Sequence, residues 1–391
     1  MTKSRPQTAE PANRIDPPAF RRRLLAHFDR CRRDLPWRRD RTPYRVVVSE
    51  FMLQQTRVET VIPYYRRWLA RFPDWRSLAA ATDDEVLLAW KGLGYYGRAR
   101  NLHRTATMVC ERFGGRLPED PRELRSLPGV GEYTAGAVAS IAFGTAAPAV
   151  DGNVRRVLSR LLDVGDPTPA RLRDEATRLI DPDRPGDFNE ALMELGATIC
   201  TPRSPRCGAC PVGEQCGALA AGTVAERPLP SARRRVRRVE YPVAVVVAEA
   251  GGVVGGGTGD PRTLLVKRPP TGLLAGMWEF PALAALPDLD LTGTPGPPLD
   301  PVTHTFTHLR ATYRPVIVRV VPGAAAGPSA TPAPRPGAPS RPPGASPASP
   351  PTAHAWAHPD RLDEWALPVA QQKIGALLRE WLRGNRRRAS G

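Results

Sequence analysis

Apolar residues recur at helical spacing through roughly the first 220 positions and at strand spacing later on. Phe20–Phe28 is basic and amphipathic, and after Asp151 the positions Val154, Val157, Leu158, Leu161 and Leu162 line one helix face. Between Tyr44 and Phe72 the run VVVSEFMLQQTRVETVIPYYRRWLARF mixes apolar and polar residues without strict alternation, and Pro43 and Pro63 predict helix starts. Thr82-Asp83-Asp84-Glu85 offers an N-cap and an acidic first turn to a helix holding Val86, Leu87 and Trp90. Residues 19–220 therefore read as an all-α domain with helix-on-helix packing.

The pattern changes near Arg233. Arg233–Arg238 is a charge run within a basic linker, 221–240. Val243–Ala248 and Thr263–Val266 read as strands around a glycine-rich turn at Gly251–Gly257, opening a smaller α+β domain over 241–385. Its tail regains apolar residues from Trp356, with Ile374, Leu377, Leu378 and Trp381 on a final helix. Residues 322–352 are dominated by Pro, Ala, Gly and Ser and read as a disordered insertion; residues 1–18 read as a disordered basic arm.

Charge narrows the partner. The 391 residues carry a formal charge of +17, and all basic residues except Lys3, Lys91, Lys267 and Lys373 are arginine. Such an excess suits a polyanion, although a coding bias toward Arg, Ala, Pro and Gly gives a similar composition. No apolar run reaches the length of a membrane span, and the first residues lack the apolar stretch of a secretion signal. A cytoplasmic, reducing location is the expectation, with no membrane partner, and six cysteines then read as metal ligands or free thiols.

Four features carry chemistry. Leu127-Pro128-Gly129-Val130-Gly131 is a glycine hairpin whose bare backbone N–H groups suit a phosphate. Glu50 sits among apolar residues in Ser49-Glu50-Phe51-Met52-Leu53, where burial would raise its pKa and prepare a general acid. A glutamate on a solvated helix face reads the same way. Asp151, before an apolar-periodic run, reads equally as a helix N-cap. Cys200, Cys207, Cys210 and Cys216 form C-x6-C-x2-C-x5-C, four soft ligands within 17 residues, and their spacing alone leaves zinc and an iron–sulfur cluster open. Cys31 and Cys110 read as ordinary thiols.

The motifs SEFMLQQTRVETVIPYY, WKGLGYYGRARNL, LPGVGEYTAGA, VDGNVRRVLSR and FNEALMELGATIC resemble the MutY family of adenine glycosylases, within the helix-hairpin-helix superfamily of endonuclease III. The likeness spans about residues 30–216 and resumes in the second domain. It implies one [4Fe–4S] cluster on the four cysteines, with Arg203 and Arg206 facing phosphates. It also implies Glu50 and Asp151 as catalytic carboxylates, with Tyr133 near Asp151 and Asn153 positioning Glu50 or water. Arg33, Leu35, Trp37, Arg38, Glu190 and Met193 match an apolar, cationic adenine pocket. Gln54, Gln55 and Tyr95 match residues around the opposing base, and Gly129, Gly131 and Thr134 match phosphate contacts. Strand-cutting members of the superfamily carry a lysine where Tyr133 stands, and Arg155 stands where some relatives have lysine. The expected enzyme is thus a monofunctional, monomeric glycosylase acting on double-stranded DNA with adenine opposite 8-oxoguanine or guanine.

Leu264–Pro269 and Gly272–Pro281 resemble the Nudix-like second domain of that family. A Nudix hydrolase box is missing from the sequence, so the domain is expected to bind and not to hydrolyse. Phe306-Thr307-His308 matches the loop that probes 8-oxoguanine, usually Phe-Ser-His; Thr307 keeps the hydroxyl and adds a methyl group. Two other functions remain compatible at this point: a thymine-mismatch or oxidised-pyrimidine glycosylase on the same scaffold, and a non-catalytic iron–sulfur DNA-binding protein.

Overall fold

The structure is a computed structural model. It describes residues 15–230, 236–248, 261–289, 291, 293–320 and 353–389, so the insertion at 322–352 and the Gly251–Gly257 turn lie outside the described residues. The chain divides into two compact units, residues 1–80 with 101–232, and residues 81–100 with 233–391.

In chain order the helices up to residue 220 are α1 (Pro17–Cys31), α2 (Pro36–Arg39), α3 (Pro43–Leu53), α4 (Val58–Arg71), α5 (Trp75–Ala79), α6 (Asp83–Ala89), α7 (Gly97–Phe113), α8 (Pro121–Leu124), α9 (Glu132–Phe143), α10 (Gly152–Leu161), α11 (Pro169–Leu179), α12 (Pro185–Thr198) and α13 (Gly217–Ala220). Phe20, Leu24 and Phe28 of α1 close one core with Val154, Leu158 and Leu161 of α10 and Phe188, Leu192 and Leu195 of α12. Ile15 joins that core and α1 starts at Pro17, so residues 15–18 belong to the helical domain and not to the expected arm, whose residues 1–14 lie outside the described residues. The apolar side chain of Ile15 is held by burial although the preceding sequence is polar. Pro63 lies inside α4 and does not start a helix. It removes one backbone bond, which the burial of Val61, Tyr65 and Trp68 on the same helix outweighs.

Glycine permits close backbone approach at Gly136 and Gly196. A Cβ on Gly136 of α9 would stand 2.1 Å from the carbonyl oxygen of Pro148, and one on Gly196 of α12 would stand 2.7 Å from Cβ of Asn153. Buried Asn189 then pins the segment entering α10: its amide donates to Ser140 Oγ and the Ala147 carbonyl and accepts from the Ala149 N–H. The chain is thereby delivered to Asp151 along a fixed path.

The second unit is built on a mixed sheet of β1 (Arg237–Ala248), β2 (Arg262–Lys267), β3 (Trp278–Glu279), β4 (Thr294–Pro298), β5 (Val302–Thr305), β6 (Leu309–Val320) and β7 (Ala353–Ala357), followed by α14 (Val369–Ala389). The path runs β3-β2-β1-β6-β4, with β5 also on β6 and β7 on β2. Among the described strands only β1 and β6 pair in parallel, from Arg237↔Leu309 to Ala248↔Val320. Val243–Ala248 is buried on both faces, as a central parallel strand requires. The strand starts at Arg237, six residues before the expected Val243 and inside the expected linker, because the long β6 supplies a full ladder of partners. The same unit contains α6, tied in by Lys267 Nζ and Trp278 Nε1 donating to the carboxylate of Asp84.

Candidate active site

Glu50 lies on α3 between Ser49 and Phe51 and is 6% exposed. Tyr133, in the first turn of α9, donates its hydroxyl to Glu50 Oε2 at 2.6 Å and also lies 3.5 Å from Met193 Sδ on α12. Burial pushes the Glu50 carboxyl up to about 7; the Tyr133 bond opposes that, and the nearby charges of Glu190 and Asp151 add to it. Burial next to these carboxylates keeps the Tyr133 phenol protonated. Glu50 is thus poised to give a proton near neutrality.

Asp151 is indeed the N-cap of α10, with Oδ1 accepting from the Val154 N–H at 2.7 Å. Its other oxygen accepts from Asn153 Nδ2 at 3.0 Å. Burial raises its pKa, while the Val154 and Asn153 bonds and the charge of Arg156 favour the anion. The cap and the catalytic reading are the same arrangement: the helix terminus steadies a carboxylate in a buried place. Two expected pairings are exchanged. Tyr133 bonds Glu50 and not Asp151, and Asn153 bonds Asp151 and not Glu50, because Tyr133 projects from α9 toward α3 whereas Asn153 follows Asp151 into the same helix turn.

The expected cationic pocket is neutralised. Arg33 and Arg38 pair with Glu194, Arg38 also with Glu190, and Arg41 with Asp187 and Glu190. Asp187, Glu190 and Glu194 share one face of α12, and buried carboxylates demand cations there. Leu35 and Trp37 are buried, Trp37 edge-on to Tyr65 at 5.5 Å, which makes its ring part of the core. Glu194, Asp187 and Arg41 were not anticipated; their signal was the three- and four-residue spacing of acids along an otherwise apolar helix.

At the hairpin, Gly129 has φ +77° and Gly131 is the N-cap of α9 without a side-chain cap. A side chain at Gly129 would strike Asn101, 2.7 Å from the Cβ position. The N–H groups opening α9 have no cap in the way and suit an anion. Thr134 is buried and its hydroxyl accepts from Gln54 Nε2 at 3.3 Å, so its side chain serves packing rather than a phosphate. Gln55 is exposed at φ +56°.

In the second unit, Tyr95 is 51% exposed at φ +48°, and its hydroxyl lies 3.0 Å from that of Thr307. The Phe306 N–H closes a turn onto the Leu309 carbonyl, the Phe306 ring stands edge-on to His304, and Thr307 and His308 are exposed at its tip.

The four cysteines close a short loop after α12. Cys200, Cys210 and Cys216 pack against the helical core. Fully buried Arg160 donates to Cys200 Sγ at 3.2 Å, to the carbonyls of Thr201 and Pro202, and to those of Val224 and Arg227. A charged donor on a sulfur that must be anionic to ligate fits a metal-bound thiolate. Among the described residues no three His, Cys, Asp or Glu side chains close round a single ion. Arg156 links this loop to catalysis, donating to the Cys200 and Gly196 carbonyls and to Asn153 Oδ1. Arg203 and Arg206 are exposed on the loop.

A phosphate-ready hairpin, a buried proton donor and a capped aspartate on the next helix define a base-excision DNA glycosylase. Residues 48–182 match the helix-hairpin-helix superfamily of base excision DNA repair proteins, 200–216 the iron–sulfur binding domain of endonuclease III and 257–377 the Nudix domain. The chain is 43% identical to the adenine DNA glycosylase of Rattus norvegicus over 366 residues, covering 76% of this chain and 70% of that one. It is 41% identical to that of Mus musculus over 81% of this chain and 74% of the relative. It is 46% identical to that of Mycolicibacterium smegmatis over 52% and 72%. The chain belongs to the adenine DNA glycosylase family, and its cysteine loop holds a [4Fe–4S] cluster.

Proposed function

We propose that the enzyme hydrolyses the N-glycosidic bond of adenine opposite 8-oxoguanine or guanine and leaves an abasic site without cutting the strand. The observation that carries this reading is the buried Glu50 held by the Tyr133 hydroxyl, with Asp151 close enough to raise its pKa. Protonation of adenine N7 by Glu50 lets the C1′–N9 bond break with its electron pair going to the base. The carboxylate of Asp151 stabilises the cationic sugar left behind. Water adds at C1′ and gives its proton to the Glu50 carboxylate, restoring the acid.

Strand cleavage by a Schiff base needs a primary amine at the sugar. Tyr133 is a phenol, and the catalytic unit has one lysine in its sequence, Lys3. The opposing-base reading rests on Tyr95 and Thr307, whose hydroxyls meet at an exposed turn. A hydroxyl oxygen can accept from the N7–H of 8-oxoguanine, which guanine lacks. Cys200, Cys207, Cys210 and Cys216 would hold the cluster and so would tie the loop, and Arg203 and Arg206 beside it suit DNA phosphates. The enzyme acts as a monomer in a reducing compartment, where its thiols stay reduced.

Single-turnover excision on duplexes with adenine opposite 8-oxoguanine, guanine and thymine tests the reading. The expected order is 8-oxoguanine first, guanine second and thymine far behind, with strand breaks only after alkali. Breaks without alkali, or efficient borohydride trapping of the protein on DNA, would overturn the monofunctional assignment.

A further inference from the structure

Tyr95 stands in a conformation its own residue type disfavours. The turn Gly92–Tyr95 has three positive φ values, +96° at Gly92, +75° at Gly94 and +48° at Tyr95, and only the last carries a side chain. An exposed aromatic ring on a strained residue stays put only when its surroundings over-determine it. Arg98, in the first turn of the next helix, is buried beneath the turn and supplies those surroundings.

The Arg98 side chain gathers three consecutive carbonyls. Nη2 lies 3.1 Å from the Gly94 oxygen and 3.3 Å from that of Leu93, and Nε lies 3.4 Å from that of Tyr95. The guanidinium carbon is also 5.5 Å from the Tyr95 ring centre and 5.3 Å from that of Trp90, in cation–π range of both. Trp90 Nε1 reinforces the same point by donating to the Gly94 carbonyl at 3.1 Å. With the carbonyls drawn inward, the Tyr95 side chain is left outward, where its hydroxyl meets Thr307.

We propose that Arg98 is the positioning residue for Tyr95 and so sets discrimination for the base opposite adenine. The inference rests on the reading above that Tyr95 and Thr307 probe that base. Lysine cannot replace Arg98. One ammonium on a flexible stem lacks the planar fork that spans three carbonyls while stacking on two rings.

The test compares single-turnover excision rates on adenine–8-oxoguanine and adenine–guanine duplexes, taking their ratio for the wild type, Arg98→Lys, Tyr95→Ala and the double variant. Arg98→Lys is expected to lower the ratio about tenfold, the size of one lost polar or stacking contact. Tyr95→Ala is expected to lower it at least as far, and the double variant no further than Tyr95→Ala. Gly94→Ala is a second probe, since its Cβ meets nothing within 4 Å but its φ opposes the turn; the same fall in ratio is expected. Slower excision on both duplexes at an unchanged ratio would mark Arg98 as merely structural and overturn the inference. If Tyr95→Ala loses the ratio and Arg98→Lys and Gly94→Ala keep it, the inference fails while the opposing-base reading stands. If Tyr95→Ala itself keeps the ratio, the opposing-base reading fails and the inference with it.

Discussion

The phenol of Tyr133 donates to Oε2 of Glu50 at 2.6 Å. The phenol therefore also sets the acidity of the proton donor. A hydrogen bond to the carboxylate lowers the Glu50 pKa against the stronger upward push of burial. Tyr133→Phe removes that brake, so the descending limb of log rate against pH moves to higher pH. The variant keeps excising in a range where the wild type has lost its proton. Single-turnover rates between pH 5.5 and 9 check this. A limb that moves to lower pH would show that the phenol does not act on Glu50.

Glu50→Gln separates catalysis from stability. The amide cannot protonate adenine, so excision falls by roughly two to four orders of magnitude, the usual worth of a general acid. Stability moves the other way. The folded pKa of Glu50 is raised from 4.5 to about 7. The native state therefore holds its proton longer than the unfolded chain, and stability drains away as pH rises from about 4.5 to 7. The loss is complete above that range, on the order of 3 kcal/mol. Glutamine avoids this loss and still accepts from Tyr133. Thermal midpoints at pH 5 and pH 8 should show the variant gaining on the wild type at the higher pH.

How far these features could be read without coordinates differs from residue to residue. The helical core, the hairpin, the cysteine loop and the strand pattern follow from local rules of spacing, turn chemistry and ligand type, and the structure keeps them. Pairings across the fold do not follow from such rules. Glu50 and Asp151 are about a hundred residues apart in the sequence, and which one Tyr133 touches depends on the approach of α9 to α3. The arginines of the expected pocket were visible, but their partners Glu194 and Asp187 lie some 150 residues away. Arg160 interrupts an apolar helix face and looks like a solvated charge until five acceptors surround it.

Gly196 tests how tightly the catalytic turn is held. A Cβ there would meet Asn153 Cβ at 2.7 Å and its backbone at 3.2 Å. Gly196→Ala gains helix propensity on α12, worth about 1 kcal/mol. It must, however, push the first turn of α10, and with it the Asp151 cap. The expected outcome is a protein within about 2 kcal/mol of wild-type stability whose excision rate falls at least tenfold while duplex binding is kept. Single-turnover kinetics beside a binding isotherm decide it; equal losses in both would mean general disruption.

Arg156 and Arg160 lie one helical turn apart on α10 and face the same cysteine loop, yet their removal should be felt at opposite ends. Arg160→Met strands the carbonyls of Thr201, Pro202, Val224 and Arg227 and takes the charged donor from Cys200 Sγ. Unpaired buried acceptors cost about 1–3 kcal/mol each. The loop should open and the protein purify with little iron, sulfide or visible absorbance. Arg156→Gln leaves those contacts alone. It frees Asn153 Oδ1 and the Cys200 carbonyl, and Asn153 is the residue that bonds Asp151 Oδ2. That variant should keep a full iron content and wild-type absorbance, yet excise adenine about ten times more slowly, because the Asp151 carboxylate, proposed to stabilise the sugar, has lost one of its supports. Iron analysis paired with single-turnover rates distinguishes the two. A cluster-poor Arg156→Gln, or an iron-replete Arg160→Met, would refute this division of labour along the helix.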